Sequence, residues 1–349
     1  MKKHVNIPVF IPHYGCPNAC VFCNQKKITG KPSYDRDSVR AEIDEALSTV
    51  DTEHTEVELA FFGGSFTAIP RGEMLGLLEI SDSYLKDGRI SSVRLSTRPD
   101  AISDEILDIL SQHGVKTVEL GLQSFSDTVL LASKRGHTSA VSEKACKDVI
   151  AHGFKLIGQM MVGLPSSTLS DEIMTAKRIC ELGASGARVY PTVVFPETEL
   201  CEMEKRGTYS SLTVDGAISR TAEVLTVFAE HGVPVIRIGL CANETLADHS
   251  YSESYHPSVG ELSLNLMYLK LMRASLNECA DRLKENAVFY VARGKISQAV
   301  GQKKANVTRL KEEYGLKSIK VAESDSLSGF QLMLKLTDNL NSNERTLPK

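Results

Sequence analysis

The strongest constraint on this chain is a rhythm: between residues 38 and 240, short apolar runs alternate six times with amphipathic stretches of helical length. The apolar runs fall at 57–62, 92–96, 117–122, 155–162, 186–191 and 235–238, and the amphipathic stretches at 38–48, 71–84, 104–113, 139–152, 170–182 and 214–231. Runs that short read as buried strands, and the longer periodic stretches as helices. Three of the helices close on a polar residue followed by glycine, His113-Gly114, His152-Gly153 and His231-Gly232, a C-cap signal. Such alternation implies right-handed crossovers and a parallel sheet with helices outside it. Six units at roughly 35-residue spacing suit an open barrel better than the closed eight-unit form. The expected fold class is α/β, a partial (β/α)6 barrel whose functional groups lie on loops at the carboxyl ends of its strands.

The rhythm stops near residue 240. Residues 243–260 are polar, rich in Ser, Tyr and His and without clear period, which suits a connecting loop lying across the barrel mouth. Beyond it the sequence predicts a helix over 261–280, a strand over 288–292, a basic helix over 296–314 and strands over 318–322 and 330–336. The expected domains are a core at 1–240, the loop at 241–262 and a small basic α/β appendage at 263–340. With 349 residues, 42 % hydrophobic and 24 % charged, the composition is that of a soluble globular chain. A formal charge of −4 gives no global attraction to nucleic acid. Lys2 and Lys3 precede a short apolar run that Pro8 and Pro12 interrupt, so no secretory signal is expected. No apolar stretch nears the roughly 20 residues of a membrane helix, and a cytoplasmic protein without membrane contact is expected.

Of eight cysteines, Cys146, Cys180, Cys201, Cys241 and Cys279 are scattered singly and read as reduced, mostly buried thiols. Cys16, Cys20 and Cys23 are instead spaced C-x3-C-x2-C within Gly15-Cys16-Pro17-Asn18-Ala19-Cys20-Val21-Phe22-Cys23. A tetrahedral zinc site wants a fourth ligand, for which His13 is the candidate, since no second close Cys/His pair exists. An iron–sulfur cube on three thiolates leaves one iron open for chemistry.

This spacing, with Phe22 just before the third cysteine, resembles the signature of the radical S-adenosylmethionine (SAM) superfamily. Phe61-Phe62-Gly63-Gly64-Ser65-Phe66-Thr67 is similar to that family's glycine motif. Leu95-Ser96-Thr97-Arg98-Pro99-Asp100, Gly121-Leu122-Gln123-Ser124-Phe125, Lys134-Arg135-Gly136-His137-Thr138, Met160-Met161-Val162-Gly163-Leu164-Pro165 and Val189-Tyr190-Pro191-Thr192 resemble the radical SAM half of the Elongator catalytic subunit. They resemble oxygen-independent coproporphyrinogen dehydrogenase less closely. The resemblance runs from about residue 8 to 240. It implies a partial TIM-like barrel and a [4Fe-4S] cluster on Cys16, Cys20 and Cys23, with SAM chelated to the open iron. Reductive SAM cleavage to a 5′-deoxyadenosyl radical would follow, with flavodoxin or ferredoxin as reductant. It further implies that Phe22, Gly63, Gly64, Ser65, Ser96, Gln123, Arg135, Val162, Gly163 and Leu164 contact the cofactor. Of these, Gly63 and Gly64 would lie at the SAM amino group, Gln123 and Arg135 at its ribose or carboxylate, and residues 162–164 near adenine. Arg135 suits a carboxylate, which its planar fork can pair bidentately. Ser96 stands where the related families place a glutamate.

Substrate is less constrained. The Elongator subunit modifies the wobble uridine of tRNA, but no acetyl-CoA loop follows residue 240 here, so acetyl transfer is not implied. Between Arg293 and Lys320 the basic residues are Arg293, Lys295, Lys303, Lys304, Arg309, Lys311, Lys317 and Lys320, against Glu312 and Glu313. That is either a footprint for RNA phosphates or a solvated helix face. Three readings stay open: an RNA-directed radical SAM enzyme, most naturally one acting on tRNA; one acting on a small molecule or protein side chain at a mouth lined by His249, Tyr251, Tyr255 and His256; and a non-catalytic cluster-bearing haem or metal carrier. His137, His249, His256 and Tyr255 are the polar residues to test for proton or radical roles.

Overall fold

The computed structural model describes residues 3–11, 14–16, 20–24, 35–240, 251 and 255–338. Each apolar run of the alternating region forms a strand, and all lie parallel in one sheet that follows chain order. The strands are β1 (Lys3–Phe10), β2 (Thr55–Phe62), β3 (Ser92–Thr97), β4 (Val115–Gln123), β5 (Lys155–Val162), β6 (Gly186–Pro191) and β7 (Val235–Ile238). The strands at the two ends, β1 and β7, have one neighbour each, so the sheet is an open partial barrel. Among the described residues it has seven strands rather than the expected six. β1 went unseen because Pro8 breaks its apolar run, yet Pro8 stands in register with Ala60 on an outermost strand. There a missing N–H is tolerated, because only one side of the strand must pair.

The helices between strands begin where their caps predict. The Ser103 hydroxyl accepts from Ile106 N at 3.3 Å ahead of the helix Asp104–Gln112. Thr138 caps Ser139–Ala151, and Thr168 and Asp171 form a reciprocal capping box at Leu169–Glu181. Gly114, Gly153 and Gly232, after the helix ends, have φ of +67°, +83° and +67°, as the C-cap signals required. A Cβ on Gly158 of β5 would stand 2.7 Å from Ile179, so glycine lets the helix Leu169–Glu181 press on the sheet's outer face.

The opposite face is charged. Arg94 of β3 holds Glu58 of β2 at 2.7 Å and Glu119 of β4 at 2.8 Å, and Arg188 of β6 donates to the same Glu119 at 3.0 Å. Thr117 and Ser92 add bonds to Glu58. Both carboxylates are almost fully buried, so each depends on these partners to offset its desolvation. Arg188 also lies over the Phe62 ring, 5.1 Å from its centroid.

The described residues fall into two compact units, the first within Met1–Ala217 and Val235–Pro257, the second within Ile218–Pro234 and Ser258–Lys349. The sequence-based boundary at 240 differs from this. The helix Val214–Glu230 contributes its first turn to one unit and the remainder to the other, and the next helix begins at Val259. In the second unit β8 (Asn286–Val291) lies between β9 (Ser318–Glu323), parallel to it, and β10 (Leu332–Thr337), antiparallel. The one basic helix expected over 296–314 is two, Ile296–Val300 and Ala305–Glu313. Gly301 at φ +78° and Lys303 and Lys304 at +51° and +64° break it.

Candidate active site

The cysteine loop follows β1 and is clasped by the glycine loop that follows β2. Ser65 N–H donates to Tyr14 O at 2.9 Å, and Ile11 N–H to Phe62 O at 2.8 Å. A Cβ on Gly64 would stand 2.3 Å from Tyr14 O and 2.6 Å from Ile11 O, and one on Gly15 2.4 Å from Ser65 O. The close approach that the glycines permit is therefore made, at Gly64, by the chain's own cysteine loop. Gly63 turns the backbone there with φ +99°. Ser65 is fully buried, with its hydroxyl 3.0 Å from that of Thr97 and accepting from Arg98 N. Ser96 is half-buried within β3.

Two guanidinium groups close on Cys20. Arg135 Nη1 lies 3.2 Å from its Sγ and Arg98 Nη1 3.9 Å away. Arg135 also donates from Nη2 to Gly121 O at 2.6 Å. Arg98 is itself fixed by a two-pronged pair with Asp100, Nε to Oδ1 and Nη2 to Oδ2, both at 2.9 Å, and by a bond to Arg135 O. Burial, and then the neighbouring Cys20, push the Cys16 thiol above its ordinary range. Cys23 N–H bonds Cys20 O at 3.0 Å. Phe22 packs, partly buried, on Val21, Val194, Leu200, Cys201 and Tyr209. Val21 ties the loop down through bonds with Ser133 O and Leu200 N. Among the described residues, no three potential ligands are gathered tightly enough to hold a metal ion as they stand. The donor set, three cysteines with cations on the central one, has the chemistry of a thiolate-ligated group.

At the end of β4, Gln123 adopts φ +65° where the pairing with β5 slips, a conformation that is strained for a side-chain-bearing residue and concentrates at functional sites. Its Oε1 is buried without a hydrogen-bond partner, and so is Arg135 Nε. The two side chains are neighbours, since a Cβ on Gly121 would stand 3.1 Å from Gln123 Nε2 and 3.4 Å from Arg135 Nη2. Buried polar atoms are rarely left unpaired, and these two point to a ligand. His137 Nε2 is a third such atom. Burial, then the Arg135 charge, lower the pKa of His137 to about 4, so its ring is neutral near pH 7.

Val162, Gly163 and Leu164 lie at the end of β5. Gly163 N–H donates to Glu172 Oε1 at 2.6 Å, its carbonyl accepts from Tyr209 OH at 2.7 Å, and Val162 O accepts twice from Thr192 at 2.8 Å. These backbone groups are committed within the protein, and all three residues are buried. Tyr251 N–H bonds Val194 O at 2.8 Å, and Tyr255 packs against Val193 and Phe195, so both tyrosines border the segment that continues β6. His13, Cys241 and His249 lie outside the described residues. Cys146, Cys180, Cys201 and Cys279 form no disulfide, and burial raises the pKa of Cys146 to about 12 and of Cys180 to about 11.

Sequence reasoning missed the Arg98–Asp100 clamp and the ion ladder. Arg98 two residues before Asp100 was visible, but the side chain that it reaches lies 78 residues away.

Residues 10–179 match the radical SAM superfamily and residues 184–267 match the Radical_SAM C-terminal domain. An uncharacterised protein of Methanocaldococcus jannaschii is 28 % identical over 248 residues, 68 % of this chain and 74 % of that one. A tRNA uridine(34) acetyltransferase of the same organism is 32 % identical over 133 residues, 37 % of this chain and 25 % of that one. The chain spans about half the length of the Elongator complex protein 3 of Schizosaccharomyces pombe, 49 % at 25 % identity. Elp3 of Methanocaldococcus infernus, solved with an N-terminal deletion, shares the fold with a TM-score of 0.61 at 20 % identity, over 82 % of this chain and 66 % of that one. Among the described residues no helix is long and apolar enough to cross a membrane.

Proposed function

Because the chain belongs to the radical SAM superfamily, and so is an enzyme of a family that uses a [4Fe-4S] cluster and SAM, we propose that Cys16, Cys20 and Cys23 hold that cluster, that Gln123 and Arg135 engage SAM, and that the substrate is tRNA. When bound, the cluster supplies the electron that cleaves SAM to a 5′-deoxyadenosyl radical. The observation that carries the cofactor assignment is Arg135. Its Nη1 lies 3.2 Å from the Cys20 sulfur while Nε stays buried and unpaired near the equally unpaired Gln123 Oε1. A zwitterionic, hydroxyl-bearing ligand would satisfy an N–H donor and a carbonyl acceptor together.

In this reading Arg98 keeps Arg135 in place through its carbonyl, and Asp100 fixes Arg98. The adenine is assigned to the neighbourhood of the Val162–Leu164 segment at the end of β5. His137, neutral and facing Arg135, adds no competing charge. The tRNA assignment draws on the likeness to a tRNA uridine acetyltransferase, without acetyl transfer. A small-molecule substrate is the second reading, favoured by Tyr251 and Tyr255, which border the segment that continues β6.

The test is anaerobic reconstitution with iron and sulfide, dithionite reduction, and measurement of 5′-deoxyadenosine with and without bulk tRNA. Cleavage that is lost in Cys20→Ala and stimulated by tRNA supports the proposal. Cleavage indifferent to tRNA moves the substrate to the second reading, and a cluster without cleavage under either condition removes the enzyme assignment in favour of a carrier.

A further inference from the structure

We infer that the second unit carries a single-stranded RNA-binding surface centred on the loop Gly301-Gln302-Lys303-Lys304, which holds the nucleic-acid backbone. The inference rests on the RNA reading above and names where the RNA is gripped.

The loop joins the helices Ile296–Val300 and Ala305–Glu313, which form the crossover between the parallel neighbours β8 and β9. It is held stiffly. Asn306, 5 % exposed, donates to Ala299 O at 3.1 Å and to Asn265 O at 2.7 Å, fastening both short helices to the helix Val259–Glu278. A Cβ on Gly301 would stand 2.9 Å from the Asn306 side chain, so only glycine lets the loop start there.

The two lysines just past that glycine have an unusual backbone. Lys303 and Lys304 are both exposed and both left-handed, with φ of +51° and +64°. Glycine or asparagine would fit such backbone with less strain, so conformation alone does not account for two lysines. Charge does. Of the eight cations between Arg293 and Lys320, several are already paired: Arg293 with Asp325, Arg309 with Glu313 and Lys317 with Glu285. Lys303 and Lys304 have no acidic partner among the described residues, and neither do Lys311 and Lys320. A rigid inter-helix loop that aims paired cations outward fits a phosphodiester backbone. RNA-binding modules of the KH type clamp about four backbone nucleotides on a glycine-x-x-glycine loop. Those modules place a second glycine where Lys304 stands, and Lys304 supplies the left-handed backbone itself. Ile296, 37 % exposed at the start of the helix before the loop, offers apolar contact to an unstacked base. Duplex RNA would be read by shape across two grooves, for which one small loop is too narrow.

The left-handed backbone also provides a clean test. Lys303→Gly with Lys304→Gly removes both charges while improving the local conformation, so the variant keeps or raises its melting temperature. Binding of a fluorescein-labelled 12-nucleotide RNA of mixed sequence and of an unmodified tRNA transcript is followed by anisotropy, with the full chain, at 100 mM salt. The expected result is at least a tenfold loss of affinity in the double variant and a salt dependence shallower by about 1.4 log units per log unit of salt, from two phosphate contacts. Arg293→Gln with Lys317→Gln, which removes two paired cations, should change affinity by less than threefold. If the wild type binds RNA and the glycine variant binds equally, the loop assignment is overturned while the RNA reading stands. If the wild type binds neither probe, both fall.

Discussion

Cys20 sits between two guanidinium groups that come from 78 and 115 residues further along the chain, so the chemistry of one sulfur depends on the whole first unit being folded. Gly64 is the steric counterpart. Its hydrogen faces two carbonyl oxygens of the cysteine loop, and backbone cannot swing aside as a side chain can. Gly64→Ala should cost about 1–3 kcal/mol by overpacking and displace the cysteine loop. Lower iron content after anaerobic reconstitution, at unchanged secondary structure by circular dichroism, would show it. His137 predicts a pH effect. Its pKa is about 4 in the folded chain and near 6.5 when unfolded, so the unfolded state binds more protons between those values. Its contribution is therefore fully present above pH 6.5 and is lost as pH falls towards 4. His137→Gln should escape that loss, so urea unfolding at pH 7 and pH 4.5 should shift the difference between variant and wild type by on the order of 2 kcal/mol in the variant's favour. The cysteines and the glycine pair were readable because spacing alone exposes them. What approaches Gly64, and what Arg98 reaches, depends on contacts between distant segments that no local pattern encodes.

At the scale of elements, hydrophobic periodicity located strands and helices closely because both faces of this sheet impose regular demands. The helices need an unbroken apolar outer face, which Leu59, Phe61, Val118, Leu120 and Leu122 supply. Failures arose where position in the sheet, not composition, decides. β1 carries Pro8 because it is outermost, and the two-helix crossover of the second unit reads as one helix until Gly301 and its left-handed neighbours interrupt it. The charged face was equally hidden, since Glu58, Arg94 and Glu119 look like ordinary polar positions within apolar runs. Together they form a ladder across β2, β3, β4 and β6 with both carboxylates buried. Breaking a buried ion pair by removing one partner strands the other charge. Glu119→Gln leaves Arg94 and Arg188 short of a counter-charge, and should lower the unfolding free energy by about 3–5 kcal/mol. Urea titration of the metal-free chain measures this, and a change below about 1 kcal/mol would mean that water reaches the ladder and screens it.

At the scale of the molecule, the formal charge of −4 conceals a segment with eight cations and two glutamates between Arg293 and Lys320. Composition read along the chain revealed that segment, and the unit that contains it also takes in Ile218–Pro234. The helix Val214–Glu230 is one continuous amphipathic stretch, and its apolar residues do not say which core they fill. Division of charge between units has a measurable consequence. Gln123 and Arg135, the groups proposed to engage SAM, are buried, and salt screens buried interactions far less than exposed ones. Lys303, Lys304, Lys311 and Lys320 are open to solvent or nearly so, and four phosphate contacts to a single strand give a slope of about −2.8 in log affinity against log salt. Between 50 and 200 mM salt, affinity for a 12-nucleotide RNA should fall about 50-fold, while dithionite-driven 5′-deoxyadenosine formation without RNA should stay within about twofold, since its electrostatics are internal. Measured in parallel, the two curves separate a nucleic-acid surface from a radical site: if they fell together, the cations of the second unit would be serving SAM and not RNA.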